Sequence, residues 1–350
     1  MNQRGRKTHH HNFIRTHLRE GERNGRRKRN SVCYRGTGYL ASCLIMKLLE
    51  QGYSVNTTVR PHPDGNKDIS YLTGLPGAKE RLQIFKADLN EPESFNEAIE
   101  GCAGVLHLAH SLDLADREPE EIATKRSLEG TLGILKACLN SKTVKRVVYT
   151  SSAAAIMFSG NGQEVVDESA WTDIDYFKDL KLTARSYTAS KTKTERAALE
   201  FAEQHGLDLV TLIPSLVLGP FNSPRIPASF YVGLAMIMGN RNLYRLLMES
   251  NMVHVEDVAM AHIFLLEYPG AKGRYICSSD RISLNGMSEF LSARYPDLQI
   301  PTKESLKDIT GYKQCGLSSK KLLDCGFRFE HGLEDMFDGA IQSCKEKGFI

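Results

Sequence analysis

Residues 31–350 predict an α/β fold built on a doubly wound parallel sheet. Short β-branched runs alternate with helix-spaced apolar patterns between residues 31 and 213. Their spacing suits right-handed βαβ crossovers, and the first run leads through a glycine-bearing turn into a helix. The chain has 350 residues, 41% hydrophobic and 25% charged, enough for a sizeable core. Wholly disordered, collagen-like and disulfide-stapled classes are excluded, and no apolar run has the length of a membrane span. The eight cysteines, at 33, 43, 102, 138, 277, 315, 325 and 344, have no C-x-x-C spacing. They read as reduced structural thiols of a cytoplasmic protein, with no metal site.

The elements follow in order. Ser31–Tyr34 is a short strand, and Tyr39–Glu50 has the apolar spacing of a helix laid on a sheet. Gly52 is placed to end that helix at positive φ. Tyr53–Val59 is rich in β-branched residues and forms the second strand. Gln83–Ala87, Gly104–Leu108, Val144–Thr150 and Leu207–Ile213 supply four more, with helices near 92–100, 121–140 and 187–205 between them. After Pro214 the rhythm loosens, with Gly and Pro at 219–227. Residues 214–350 are therefore expected to form mainly a smaller α/β substrate-binding region, and 31–213 the nucleotide-binding domain. Ligands of such sheets lie beyond the carboxyl ends of the strands, so the crevice between the two parts is the expected site.

The net charge of +3 joins two unlike pieces. Ten of the 45 Lys/Arg and two of the 42 Asp/Glu stand in residues 1–30, which leaves 35 basic against 40 acidic residues in the body. A mildly acidic body has no reason to seek nucleic acid. The basic head has no apolar h-region and so does not read as a signal peptide, and it is poor in Ser for a transit peptide. It reads as a solvated, disordered extension.

The turn Arg35-Gly-Thr-Gly-Tyr-Leu-Ala41 between strand and helix suits a dinucleotide pyrophosphate. Glycines let the phosphates approach the backbone, and the helix N-terminus favours an anion. Gly36, Thr37, Gly38, Tyr39 and Leu40 are the candidate contacts of a Rossmann-type site. Arg60 ends the second strand, where an NAD enzyme would place an acid for the ribose; a guanidinium there favours a 2′-phosphate, hence NADP (NADPH). Lys67 is a second cation in reach, and Asp88-Leu89 is placed to touch adenine. Each is also an ordinary surface or turn residue when taken alone.

Tyr187 and Lys191 stand one helical turn apart on one face, and Thr150-Ser151-Ser152 ends a strand at the crevice. The set suits carbonyl reduction by hydride. The Tyr187 hydroxyl protonates the developing alkoxide, Lys191 favours the tyrosinate and holds the nicotinamide ribose, and Ser152 orients the substrate oxygen. A Tyr-x3-Lys pair alone is common on amphipathic helices; the strand-ending serines give it weight.

These motifs resemble the plant extended short-chain dehydrogenase/reductases of the dihydroflavonol 4-reductase family. The likeness runs through Gly36–Ala41, Asn56–Arg60, Ala87–Leu89, Tyr149–Ser152, Tyr187 with Lys191, Pro214–Phe221, Met252–Ala259 and Gly273–Ser279. Within that family the likeness to vestitone reductases goes furthest, through Gly52–Thr58, Ile134–Cys138, Ser141–Arg146 and Cys344–Gly348. The resemblance implies Ser152, Tyr187 and Lys191 as catalytic triad and Arg60 with Lys67 as holders of the 2′-phosphate. It further implies Ala109 and Pro214 beside the cofactor, and Ser152, Met157 and Tyr187 against a phenolic carbonyl substrate.

Four positions depart from the family. Arg35 replaces the first glycine of the turn, where a bulky cation strains the backbone and fills pyrophosphate space. His110 stands in a segment that usually reads H-x-A-S/T-P. Glu129 replaces an Asn or Asp, which puts a role in the Lys191 proton relay in doubt. Met157 replaces a polar substrate contact and predicts a more apolar contact, or none at all. For Arg35 there is a further hypothesis. With free choice of synonymous codons, Asn24–Arg35 can be written so that reading from the second base yields Met-Glu-Glu-Gly-Lys-Gly-Thr-Val-Cys-Val-Thr-Gly, a family-like start with the missing glycine. Residues 1–35 would then be an out-of-frame translation, an idea that genomic reads supporting the present frame would refute.

The expected function is NADPH-dependent reduction of a flavonoid- or isoflavonoid-type ketone to the alcohol. Two alternatives stay open. One is an NAD-dependent sugar-nucleotide epimerase or dehydratase, which Arg60 disfavours; the other is a non-catalytic paralogue with impaired cofactor binding, which Arg35 supports and the Ser/Tyr/Lys set opposes. Substrate identity and oligomeric state are not encoded in any residue pattern.

Overall fold

The computed structural model describes residues 30–33, 37–61, 68–108 and 118–350. Strand β1 (Asn30–Cys33) precedes helix α1 (Tyr39–Glu50) and strand β2 (Ser54–Val59). At the end of α1 the N–H of Gly52 bonds the Leu49 carbonyl and that of Tyr53 the Leu48 carbonyl, both at 2.9 Å, with Gly52 at φ 78°. This double closure is the reason a glycine is needed there. Strand β3 (Leu82–Lys86), β4 (Gly104–His107), helix α2 (Glu120–Ser141), β5 (Arg146–Thr150), helix α3 (Arg185–His205) and β6 (Leu209–Pro214) follow. The helix expected near 92–100 is a 3-10 turn, Pro92–Phe95, running into a single α turn, Asn96–Ile99.

Beyond β6 come β7 (Leu216–Leu218), β8 (Glu249–His254), α4 (Val255–Glu267), β9 (Gly273–Cys277), β10 (Asp280–Ser283), α5 (Leu284–Arg294) and α6 (Leu333–Glu346). The main sheet has seven strands in the order β9-β6-β5-β4-β1-β2-β3, and every pair in it is parallel. The reversal of strand order between β1 and β4 creates the crevice in which doubly wound folds take their ligands.

Both faces of the sheet are covered, so its central strands are mostly apolar. Val105, Leu106, Val147, Val148, Val210 and Leu212 are fully buried. On one face α1 and α4 pack through Leu44, Leu48, Val258 and Leu265. On the other α2 and α3 pack through Ile134, Cys138, Ala198 and Phe201.

Strand β9 and helix α4 amend the expected boundary at residue 213. Both come from the later part of the chain, yet β9 pairs with β6 in the main sheet and α4 covers its face. What is separate is a second core of β7, α5 and α6 side chains, including Leu218, Met287, Phe337 and Ile341. A three-stranded sheet, β10-β8-β7, lies with it. Gly219, just after β7, has φ 135°, and a Cβ there would stand 2.7 Å from the His254 ring. Only glycine lets the chain leave β7 so close to that residue.

Candidate active site

A cleft of about 1340 Å³ opens at the carboxyl ends of the strands. At its cofactor end Thr37, Gly38, Tyr39 and Leu40 form one wall. Gly38 is the N-cap of α1, extended at φ −84° and ψ 159°. The N-terminus of α1 and the positive end of its dipole face the cleft. Tyr39 is pinned behind them, its hydroxyl donating to the Gly219 carbonyl at 3.1 Å and its ring edge-on to Phe230.

Arg60 lines the same cleft and keeps about half of its side chain exposed. Its Nε lies 3.3 Å from Asp88 Oδ2. Asp88 thus stands behind Arg60, and it also closes its own turn by accepting from Asn90 N at 2.9 Å. Leu89 lines the cleft, as does Pro214 at the end of β6. Gly36, Lys67 and Ala109, with Arg35 and His110, lie outside the described residues. The N-terminus of α1, an arginine just past β2 and a lysine deep in the cleft fit a nicotinamide dinucleotide.

The candidate catalytic residues meet deeper in the cleft. Ser152, extended at φ −161° and ψ 149°, caps a 3-10 turn over Ala153–Ala155, its Oγ accepting from Ala154 N at 3.2 Å. Tyr187 and Lys191 project from α3, whose start is set by Ala184 in the left-handed region at φ 65°. Burial raises the Tyr187 phenol above its ordinary value, and a hydrogen bond from the Ser152 hydroxyl partly offsets this. Lys191 is buried, donates from Nζ to the Thr150 carbonyl at 2.8 Å and lies 5.4 Å from the Tyr149 ring centre. One strand end and one helix face therefore bring Ser152, Tyr187 and Lys191 together.

Buried neutral groups fix this arrangement from behind. His262 Nε2 takes the Thr150 hydroxyl at 2.7 Å while Nδ1–H donates to the Val258 carbonyl, and burial lowers its pKa to about 4. His107 contacts Thr131 Oγ1 at 3.1 Å, and burial together with the Lys191 charge lowers it to about 3. Glu129 has no part in this. It is exposed on α2 and pairs loosely with Lys125 at 3.9 Å.

The substrate side is largely apolar. Met157 lines it beside Phe158, Phe177, Leu182 and Leu246, and the Phe158 ring lies 4.3 Å from Phe177 and 5.2 Å from Tyr312, centre to centre. Two amides, Asn251 and Gln314, interrupt this wall, with Asn251 Nδ2 held by the Cys315 carbonyl at 2.9 Å. Sequence reasoning missed both, because neither sits in a motif. It also missed Glu195, a fully buried carboxylate one turn past Lys191. The four-residue step from Tyr187 to Lys191 to Glu195 was the available signal.

Comparison with known proteins agrees with this geometry. The family model for the NAD dependent epimerase/dehydratase family matches residues 36–277. The chain is 51% identical to vestitone reductase of Medicago sativa over 315 residues, 90% of this chain and 96% of that one. It is 52% identical to Protein BRI1-5 ENHANCED 1 of Arabidopsis thaliana, over 90% of this chain and 88% of that one. Against dihydroflavonol 4-reductase of Hordeum vulgare the figure is 45%, again over 90% and 88%. The crystal structure of the alfalfa vestitone reductase superposes with a TM-score of 0.83, covering 92% of this chain and all of that one at 48% identity. With the strand order and the Ser/Tyr/Lys cluster, these matches place the chain in the NAD dependent epimerase/dehydratase family, as an extended short-chain reductase of the dihydroflavonol 4-reductase and vestitone reductase group.

Proposed function

We propose that this oxidoreductase reduces the ketone of a flavonoid- or isoflavonoid-type substrate to the alcohol, with NADPH as the reductant. One observation carries the reading: Ser152, Tyr187 and Lys191 converge in a cleft whose cofactor end holds Arg60 and whose other end is walled by aromatic and aliphatic side chains. Bound nicotinamide supplies the hydride, and this chain supplies everything else. The substrate oxygen accepts from the Ser152 and Tyr187 hydroxyls, which fixes the carbonyl and polarises it. As negative charge grows on that oxygen, the Tyr187 proton moves to it. Lys191, held by the Thr150 carbonyl, stabilises the tyrosinate left behind. The apolar wall of Met157, Phe158, Phe177 and Leu182 excludes water and suits a flat phenolic ring system. The described cysteines are all free thiols, in keeping with a reducing, cytoplasmic setting. No helix among the described residues is long and apolar enough to cross a membrane.

The test is a fluorescence titration of the chain with NADPH and NADH, followed by turnover of isoflavanones and dihydroflavonols. Preferred NADPH binding with ketone-dependent NADPH oxidation is the expected result. If neither dinucleotide binds, the same titration on the Arg35→Gly variant without the head separates a blocked turn from a chain that has lost the cofactor.

A further inference from the structure

Glu195 follows Tyr187 and Lys191 on one stripe of α3, at successive four-residue steps. It is entirely shielded from solvent, and its two oxygens accept four hydrogen bonds. Ser151 Oγ donates at 2.5 Å, Thr211 Oγ1 at 2.9 Å, and Arg274 from Nε at 2.9 Å and Nη2 at 3.2 Å. A buried ion pair is weak grounds for stability, because desolvation of both charges offsets their attraction. What it does well is fix geometry, and here the fixed groups surround the catalytic serine.

Ser151 immediately precedes Ser152. Its backbone N–H is tied to the Leu212 carbonyl at 2.7 Å, so its side chain and backbone are both held. Neighbouring side chains of extended backbone point to opposite sides. With Ser151 drawn to Glu195, Ser152 faces the cleft and Tyr187. The far side of the network holds the turn that follows. Arg274 Nη1 donates to the Glu168 and Ala170 carbonyls, each at 2.7 Å, and the guanidinium lies 3.6 Å from the Trp171 ring centre. Thr172 then donates from its backbone N–H to the Ala155 carbonyl at 2.8 Å and from Oγ1 to the Ala154 carbonyl at 2.7 Å. The segment 153–158 is thereby gripped at its start by the carboxylate and along its length through the arginine.

We propose that Glu195, charge-balanced by Arg274, is a positioning residue that acts through Ser151 to hold Ser152 against Tyr187. The kinetic consequence rests on the proposed ketone reduction; the geometric claim does not. Two isosteric variants separate positioning from bulk stability. Ser151→Ala and Thr211→Val each remove one hydroxyl donor from the same carboxylate, but only Ser151 adjoins the catalytic serine. Lys191, one turn along α3, and Tyr149, which is coupled electrostatically to Tyr187, stay in place in both.

Each variant is measured for kcat and KM with NADPH and a ketone. Without substrate, the Tyr187 titration is followed by NMR of 13Cζ-labelled tyrosine, with the signal assigned by Tyr187→Phe. Ser151→Ala is expected to lower kcat about tenfold to a hundredfold with little change in the KM for NADPH. It is also expected to move the Tyr187 titration upward, since the Ser152 bond that favours tyrosinate is loosened. Thr211→Val is expected to match the parent chain in both readouts. Equal effects of the two variants, or none from Ser151→Ala, would overturn the proposal. If the parent chain turns over no ketone, the functional reading fails, and the titration alone decides. An upward shift confined to Ser151→Ala supports the positioning role, and an unmoved titration removes it.

Discussion

At the scale of single residues, Tyr187 and Arg60 carry the sharpest expectations. Tyr187→Phe removes the hydroxyl that carries the transferable proton and accepts from Ser152. It should lower kcat about 10²–10⁴-fold while leaving NADPH affinity nearly unchanged, as steady-state kinetics and fluorescence titration can show. Arg60→Ala should weaken NADPH about ten- to a hundredfold, the loss of a charge-assisted phosphate bond, and leave NADH untouched. Equal losses for both dinucleotides would place Arg60 elsewhere than at a 2′-phosphate. Both residues were legible in the sequence, because Tyr-x3-Lys on a helix and Arg at a strand end are local patterns. Asp88 was legible only as a position. That its carboxylate stands behind Arg60, 3.3 Å from Nε, is a tertiary fact. Glu195 was legible only as the next four-residue step after Lys191, since a glutamate at helical spacing reads as a solvated face until Arg274, from another strand, is brought against it.

At the scale of elements, α2 shows how packing reaches the cleft. A Cβ at Gly130 would stand 2.8 Å from Leu89 Cδ2 and 3.0 Å from the Leu89 carbonyl oxygen, and one at Gly133 would stand 2.2 Å from Pro92 Cβ. Either glycine to alanine change overpacks the contact and should cost about 1–3 kcal/mol. Only Gly130→Ala displaces Leu89, which lines the cofactor end of the cleft. Thermal melting should thus show both variants weakened, while the NADPH titration should separate them. A Gly130→Ala chain that binds NADPH like its parent would detach Leu89 from the cofactor. The alternation of strands and helices up to β6 followed from periodicity, because each element there has its own apolar pattern. Strand β9 did not, since Gly273–Cys277 is a short run whose place beside β6 is decided by tertiary pairing. The segment 92–100 was expected as one helix. Pro92 stands at the start of the 3-10 turn there, and only one α turn follows it.

For the whole molecule, the buried histidines make stability depend on pH. His107 and His262 stay neutral in the fold down to about 3 and about 4, whereas in the unfolded chain they take up protons near 6.5. Their contribution is complete above the unfolded value and is lost as pH falls from 6.5 toward the folded values, by about 1.4 kcal/mol per pH unit for each ring. Urea unfolding between pH 7.5 and pH 4.5 should show that decline, and His262→Gln should remove about one ring's share of the slope. A flat profile would mean that these rings are not shielded. The sheet, the cleft and the three candidate catalytic side chains together carry the proposal that hydride and proton are delivered to the two ends of a ketone. The most direct measurement follows the label from NADPH deuterated at nicotinamide C4 into a dihydroflavonol or isoflavanone ketone, by mass spectrometry, for the parent chain and Tyr187→Phe. The account predicts an alcohol with one deuterium on the former carbonyl carbon, formed by the parent and nearly absent with Tyr187→Phe. Product without label, or equal labelled product from both chains, would contradict it.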